Sequence, residues 1–285
     1  MTNDSYTQRF AQTADGTTLS VREVAGEGSL IVALHGFTGA GVTMIPLLEG
    51  IRNGRPAVAV DLVGHGESDS PEYLDAYSMA SVVDQVLSII GPRNPETVHL
   101  VGYSMGGRVA LSMAARAPWY FASITSLSAT PGLDDPVERA ARHDADLALA
   151  AHVEDLGVDA FIDEWLQKPL FSSYVAGLDG EARACTVEVR TANSPHGLAN
   201  SLRGTGTGAM PPVWNGLANL RSPLLAVAGA LDSTYVQIAN DMTEAVPSGQ
   251  VSIIADAGHV VHEEKLDDIS SLVATFLQSC DQDER

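Results

Sequence analysis

Cysteine and lysine are nearly absent from this chain of 285 residues. The two cysteines, Cys185 and Cys280, stand far apart and form neither a CxxC pair nor a metal-type spacing, which argues against a disulfide framework. Lysine occurs only at Lys168 and Lys265, so any pocket for an anion has to be built from arginines. No stretch reaches the roughly 18 consecutive apolar residues that a membrane helix needs. The start, Met1 to Gln12, is polar and lacks an apolar core, so no secretory signal is expected. Positive charge is scarce overall: 16 basic residues face 36 acidic ones, for a net charge of −20. A field of that sign repels nucleic acid and anionic membrane surfaces, so neither is an expected partner. The expectation is a soluble, cytoplasmic protein acting on a small molecule.

What is present reads as one large folded core. The hydrophobic fraction of 45 % is ordinary for a globular chain and excludes disorder of the whole. Short apolar runs bounded by turn residues recur at Leu30–Leu34, Ala57–Leu62, Val98–Val101, Ile124–Ser128, Leu224–Ala228 and Val251–Ala255. Near-continuous runs of this length suit strands buried on both faces of a parallel sheet. Helical patterns follow the second run, at Ser78–Ile90, and the third, at Gly107–Ala117. This alternation predicts an α/β fold, a mostly parallel central sheet with helices on both faces and ligands at the carboxyl ends of the strands. Residues 133–212 break it: helices are expected at Val137–Ala151 and Val153–Trp165, and a loop at Ser201–Pro212, which is rich in Gly and Pro. We read 1–132 and 213–285 as the core and 133–212 as an inserted helical cap. The last residues, Asp281–Arg285, read as a frayed tail.

Gly102-Tyr103-Ser104-Met105-Gly106 fits G-x-S-x-G. The pattern gains weight from a strand before it and a helix after it, the context of a sharp turn that exposes a serine hydroxyl. The helix N-terminus then offers backbone N–H groups to an oxyanion. The first apolar run ends in Leu34-His35-Gly36-Phe37, a turn placed to supply a second donor. The amides of Phe37 and Met105 are therefore the candidate oxyanion hole.

Such a serine needs an imidazole and an orienting carboxylate, in the chain order Ser, Asp, His. Of the eight histidines, His259 and His262 follow the last run, and His259 stands directly at its end. His262, three residues on, is expected to face elsewhere, and His65 in its glycine-rich turn reads as structural. Asp232 stands at the end of the preceding run. Its rival Asp256 is too near His259 in sequence to reach around it easily. The candidate catalytic residues are Ser104, Asp232 and His259.

With these motifs in order, the chain resembles the α/β-hydrolase superfamily over its full length. Within it the chain resembles the 2-succinyl-6-hydroxy-2,4-cyclohexadiene-1-carboxylate synthase family of menaquinone biosynthesis. That resemblance rests on Gly102–Arg108, on Trp165-Leu166-Gln167-Lys168-Pro169-Leu170-Phe171, on Ser201-Leu202-Arg203-Gly204-Thr205-Gly206-Thr207-Gly208, and on Pro211, Pro212 and Trp214. It implies a carbon–oxygen lyase that eliminates pyruvate from 2-succinyl-5-enolpyruvyl-6-hydroxy-3-cyclohexene-1-carboxylate. Ser104, made basic by His259 and Asp232, would remove a ring proton. The resemblance implies no metal and no organic cofactor.

The substrate so implied is a small anion with several carboxylates. Arg108, one turn past Ser104, and Arg142 and Arg190, placed like the family's substrate arginines, are the candidate ligands; arginine grips a carboxylate in a fork. Tyr103, Trp165 and Phe171 would be apolar walls. The direction of Arg203 stays open, as does the choice between monomer and homodimer. The rival readings are an esterase or carbon–carbon bond hydrolase using the same triad, and a non-catalytic ligand receptor on this fold.

Overall fold

The computed structural model describes residues 6–91 and 97–283. Its sheet comprises β1 (Thr7–Gln12), β2 (Thr18–Val24), β3 (Leu30–Leu34), β4 (Ala57–Val60), β5 (Val98–Tyr103), β6 (Ser123–Leu127), β7 (Leu224–Gly229) and β8 (Gly249–Ile254). The spatial order is β1-β2-β4-β3-β5-β6-β7-β8. β1 and β2 pair antiparallel, as do β2 and β4; every pairing from β4 through β3 to β8 is parallel.

The six apolar runs are the six parallel strands, with ends shifted by one or two residues. In the five inner ones, β3 to β7, side chains alternate between two cores, as the period of two along a strand requires; β8, at the sheet edge, is mostly exposed, against the expectation of burial on both faces. In β3, Leu30, Val32 and Leu34 join one cluster while Ile31 and Ala33 join the other. The first core is closed by α2 (Met79–Ile90), α3 (Met105–Arg116) and α10 (Ser233–Ala245), the second by α1 (Ile45–Ile51) and α12 (Leu266–Asp283). β1 and β2 were not expected. β1 is an exposed antiparallel edge, and β2, though buried, carries the polar residues Ser20, Arg22 and Glu23, which break up its apolar pattern.

Between β6 and β7 the described chain is helical: α4 (Pro136–Leu156), α5 (Val158–Leu166), α6 (Ser172–Gly177), α7 (Gly180–Thr191), α8 (Pro195–Thr205) and α9 (Trp214–Leu217). α4, α5 and α8 share a small core of Val153, Phe161, Ile162, Leu198 and Leu202. A last short helix, α11 (Val261–Glu264), precedes α12.

Two expectations fail here. Ser201–Thr205 is helix, not loop. Glycine in a helix is disfavoured by about 1 kcal/mol relative to alanine, yet at Gly204 a Cβ would lie 2.3 Å from the Tyr77 carbonyl oxygen. Close packing against Tyr77 overrides propensity. The tail is not frayed through Asp281, because α12 continues to Asp283 and Asp281 accepts from Arg55 Nε (3.0 Å) and contacts His99 Nε2 (3.0 Å). Two buried nitrogen-bearing side chains hold that carboxylate in place. Residues 284–285 lie outside the described range.

The sheet register places the site. Leu34 pairs with Gly102, Tyr103 with Leu127, and Leu127 with Val227. The carboxyl ends of β3, β5, β6 and β7 therefore stand in a row, and the loops leaving them emerge side by side beneath α4, α5 and α8.

Candidate active site

Ser104 sits between β5 and α3 with φ 48° and ψ −108°. A non-glycine residue in that region costs about 1–3 kcal/mol and persists only when its surroundings force it. Here the turn passes so close to β3 that a Cβ at Gly106 would lie 2.2 Å from the Leu34 carbonyl oxygen. The bend lifts the Ser104 hydroxyl off the sheet, 3.0 Å from His259 Nε2. His259 Nδ1 lies 2.8 Å from Asp232 Oδ2. Asp232 leaves the end of β7 as the N-cap of α10, and its other oxygen accepts from the Tyr235 amide. The imidazole is buried and enclosed by three rings: Tyr235 at 4.6 Å, Tyr103 at 5.5 Å and Phe171 at 6.3 Å between centroids. With Nδ1–H directed at the carboxylate, Nε2 is left as the acceptor for the serine proton.

Met105 is the first residue of α3, so its amide has no carbonyl one turn behind it. The Phe37 amide comes from the turn after β3, where Gly39 N–H closes onto the Gly36 carbonyl at 3.0 Å. His35, fully buried, braces that turn. Its Nε2 accepts from the Leu62 amide at 3.0 Å, so Nδ1 carries the proton and donates to the Gly36 carbonyl at 2.8 Å. Burial pushes the His35 pKa down, which keeps this neutral arrangement.

A cavity of about 290 Å³ opens over these groups, lined by Ser104, His259, Asp232, Phe37 and Met105. Arg108, Arg142 and Arg190 line it too, as do Tyr103, Trp165 and Phe171. All eleven residues singled out in the sequence thus face one space. Arg108 and Arg190 are buried, at 8 % and 5 % exposure, and the Nε–H of each lacks an acceptor among the described residues. Arg108 Nη2 donates to the Thr205 carbonyl at 2.9 Å. Burial pulls the Arg108 pKa down to about 10, which leaves it charged at neutral pH. Arg142, on α4, is more open and pairs through Nε with Asp146 at 2.8 Å.

Other residues fall differently. Arg203 turns away from the cavity and forks onto Glu154 of α4 at 2.8 and 2.6 Å. His262 is buried against Tyr103, ring centroids 4.4 Å apart, and does not line the cavity. His65 is buried beside His35, and burial lowers its pKa to about 3, which suits packing rather than proton transfer. Tyr235 and Glu263 also line the cavity, although neither is among the candidate site residues. Tyr235 carried a usable signal, since it stands three residues past Asp232 in the turn that caps α10. Glu263 carried none; its carboxylate is engaged by the Tyr174 hydroxyl at 2.5 Å. Among the described residues no group of His, Cys, Asp and Glu is arranged to hold a metal ion, and no helix is long and apolar enough to cross a membrane.

Comparison with known proteins agrees with this architecture. Residues 29–266 match the family model described as the alpha/beta hydrolase fold. A protein of Bacillus subtilis (strain 168), provisionally named a 2-succinyl-6-hydroxy-2,4-cyclohexadiene-1-carboxylate synthase, is 34 % identical over 267 residues, 93 % of this chain and 97 % of its own length. The synthase of that name from Photorhabdus laumondii is 27 % identical over 253 residues, 87 % of this chain and 84 % of its own. The solved structure of MenH from S. aureus superposes with a TM-score of 0.84 at 28 % identity, covering 98 % of this chain and all of that one. The chain therefore belongs to the α/β-hydrolase fold family and, within it, to the family of the 2-succinyl-6-hydroxy-2,4-cyclohexadiene-1-carboxylate synthases.

Proposed function

We propose that this enzyme is a carbon–oxygen lyase that eliminates pyruvate from 2-succinyl-5-enolpyruvyl-6-hydroxy-3-cyclohexene-1-carboxylate. One observation carries the reading: two buried guanidiniums, Arg108 and Arg190, face the same cavity as the Ser104–His259–Asp232 row with N–H groups unspent. A buried cation without a counter-charge is costly unless a ligand supplies one. The substrate bears three carboxylates, on the ring, on the succinyl chain and on the enolpyruvyl group. Arg108, Arg142 and Arg190 match that number.

The chemistry follows from comparing the substrate's 3-ene with the product's 2,4-diene. The hydrogen lost is at C2, next to the succinyl ketone, and the bond broken is C5–O. His259 Nε2 accepts the Ser104 proton, and Ser104 Oγ takes the C2 proton. The electron pair moves into the ketone as an enolate, whose oxygen is held by the Phe37 and Met105 amides. Preorganised donors of this kind are each worth about 3 kcal/mol in the transition state. The enolate then reforms the ketone, the ring double bond shifts, and C5–O cleaves. The enolpyruvate leaves, and its methylene carbon takes up the proton held on His259, directly or through water, which gives pyruvate and restores neutral His259. Ser104 acts as a base throughout and forms no acyl-enzyme.

The same geometry suits ester hydrolysis, so the deciding experiment runs both substrates. Purified enzyme is given the enolpyruvyl substrate and, separately, a neutral aryl ester. Pyruvate released from the first at a far higher kcat/KM than phenol from the second is the expected result. Ester turnover without pyruvate release would overturn the proposal.

A further inference from the structure

The Phe37 amide is only as useful as the turn that aims it, and that turn holds Thr38 at φ 66°. A positive φ is rare for a β-branched residue, and this third turn position normally carries glycine. The Thr38 hydroxyl is buried without a partner, so the side chain does not hold the turn. The carbonyl does: it accepts from Asn193 Nδ2 at 2.8 Å. Asn193 stands 155 residues further along the chain, between α7 and α8, and is buried at 3 % exposure. Its Nδ2 also donates to the Arg190 carbonyl at 2.9 Å, and its Oδ1 accepts from the Gly66 amide at 2.8 Å. One amide side chain thus ties together the strained turn, the loop after β4 and the backbone of a cavity arginine. Beside it, the Phe37 ring packs edge-on against Trp165 of α5 at 5.3 Å.

We propose that Asn193 is a positioning residue: it locks the Gly36–Gly39 turn so that the Phe37 N–H points at the developing oxyanion. His35 fixes the Gly36 carbonyl from the core side. Asn193 fixes the Thr38 carbonyl from the side of the inserted helices. The inference rests on the oxyanion role proposed for Phe37, not on which substrate is turned over.

Diethyl p-nitrophenyl phosphate, a neutral probe, tests it. A bond forms between Ser104 Oγ and phosphorus, the bond to the aryl oxygen breaks, p-nitrophenolate leaves, and the serine proton passes to His259. The phosphoryl oxygen occupies the oxyanion hole. Asn193→Ala is expected to slow this phosphorylation by about tenfold or more, less than or comparable to outright loss of one donor. In pyruvate release it is expected to lower kcat similarly, while KM stays within about threefold. Asn193→Asp keeps the size and the acceptor for Gly66 but loses the donation to Thr38. It is expected to be equally slow toward the neutral probe, and it decides the matter if the alanine variant does not fold. Phosphorylation of either folded variant within twofold of wild type overturns the proposal, as does a loss confined to KM. A wild type that the probe does not phosphorylate overturns the oxyanion role beneath it. A wild type that is phosphorylated but releases no pyruvate leaves Asn193 standing and removes only the lyase reading.

Discussion

Arg108 is a buried charge whose Nε–H has no acceptor among the described residues, and in the proposed role that group serves binding rather than stability. Replacing it by Gln removes a buried cation whose Nε–H has no acceptor. It also loses the donation to Thr205 at the end of α8. Removing an unpaired buried charge is often neutral or stabilising, while a lost charge-assisted bond to a substrate carboxylate is worth about 1.5–3 kcal/mol. Arg108→Gln is therefore expected to raise KM by about tenfold or more with the urea midpoint unchanged or higher. Steady-state kinetics and equilibrium unfolding check the two halves separately. A normal KM would move the substrate carboxylate elsewhere in the cavity. Ser104, Asp232 and His259 could be picked from the sequence because each stands directly at the end of an apolar run. Asn193 could not, because its partners Thr38 and Gly66 lie more than 120 residues away and nothing local in Ala192-Asn193-Ser194 announces them.

Among the elements, α8 shows where sequence patterns mislead. The loop reading rested on Gly204, Gly206, Gly208 and two prolines; of these only Gly204 lies in α8, at a propensity cost of about 1 kcal/mol. The helix forms because Gly204 lies on Tyr77 with no room for a methyl group. The two effects predict opposite signs for one substitution. Propensity alone makes Gly204→Ala stabilising by about 1 kcal/mol; overpacking against rigid backbone makes it destabilising by about 1–3 kcal/mol. We expect destabilisation, read as a lower urea midpoint at unchanged m-value. A higher midpoint would mean that Tyr77 yields easily. The five inner parallel strands were legible because burial on both faces writes a continuous apolar run; β8 shows such a run although its edge position leaves it mostly exposed. β1 was not, because an exposed edge needs few apolar residues, and β2 was not, because its buried Arg22 is satisfied by Asp61, a contact that no local pattern encodes. The end of α12 was missed for a third reason: Asp281 is held by Arg55 and His99, contacts that no local pattern encodes.

At the scale of the whole molecule, four histidines are buried in their neutral form. Burial lowers the pKa of His65 to about 3 and that of His262 to about 4, and lowers those of His35 and His99 as well. An unfolded histidine titrates near 6.5, so below that pH the unfolded chain binds protons that the fold does not. Stability should accordingly be full above about pH 6.5 and fall as pH drops toward 4, by up to about 1.4 kcal/mol per pH unit for each histidine. Urea unfolding across that range checks the slope, and His262→Phe should flatten it, since neither ring nitrogen of His262 has a hydrogen-bond partner among the described residues. The sheet, the bend after β5 and the helices above it converge on one hydroxyl, which in the proposed reaction is the base. The most direct test is single-turnover pyruvate release by Ser104→Ala, with substrate affinity measured on the same protein. With Ser104 as the base, the rate is expected to fall by about 10³-fold or more with Kd within about threefold of wild type; pyruvate release near the wild-type rate would rule that role out.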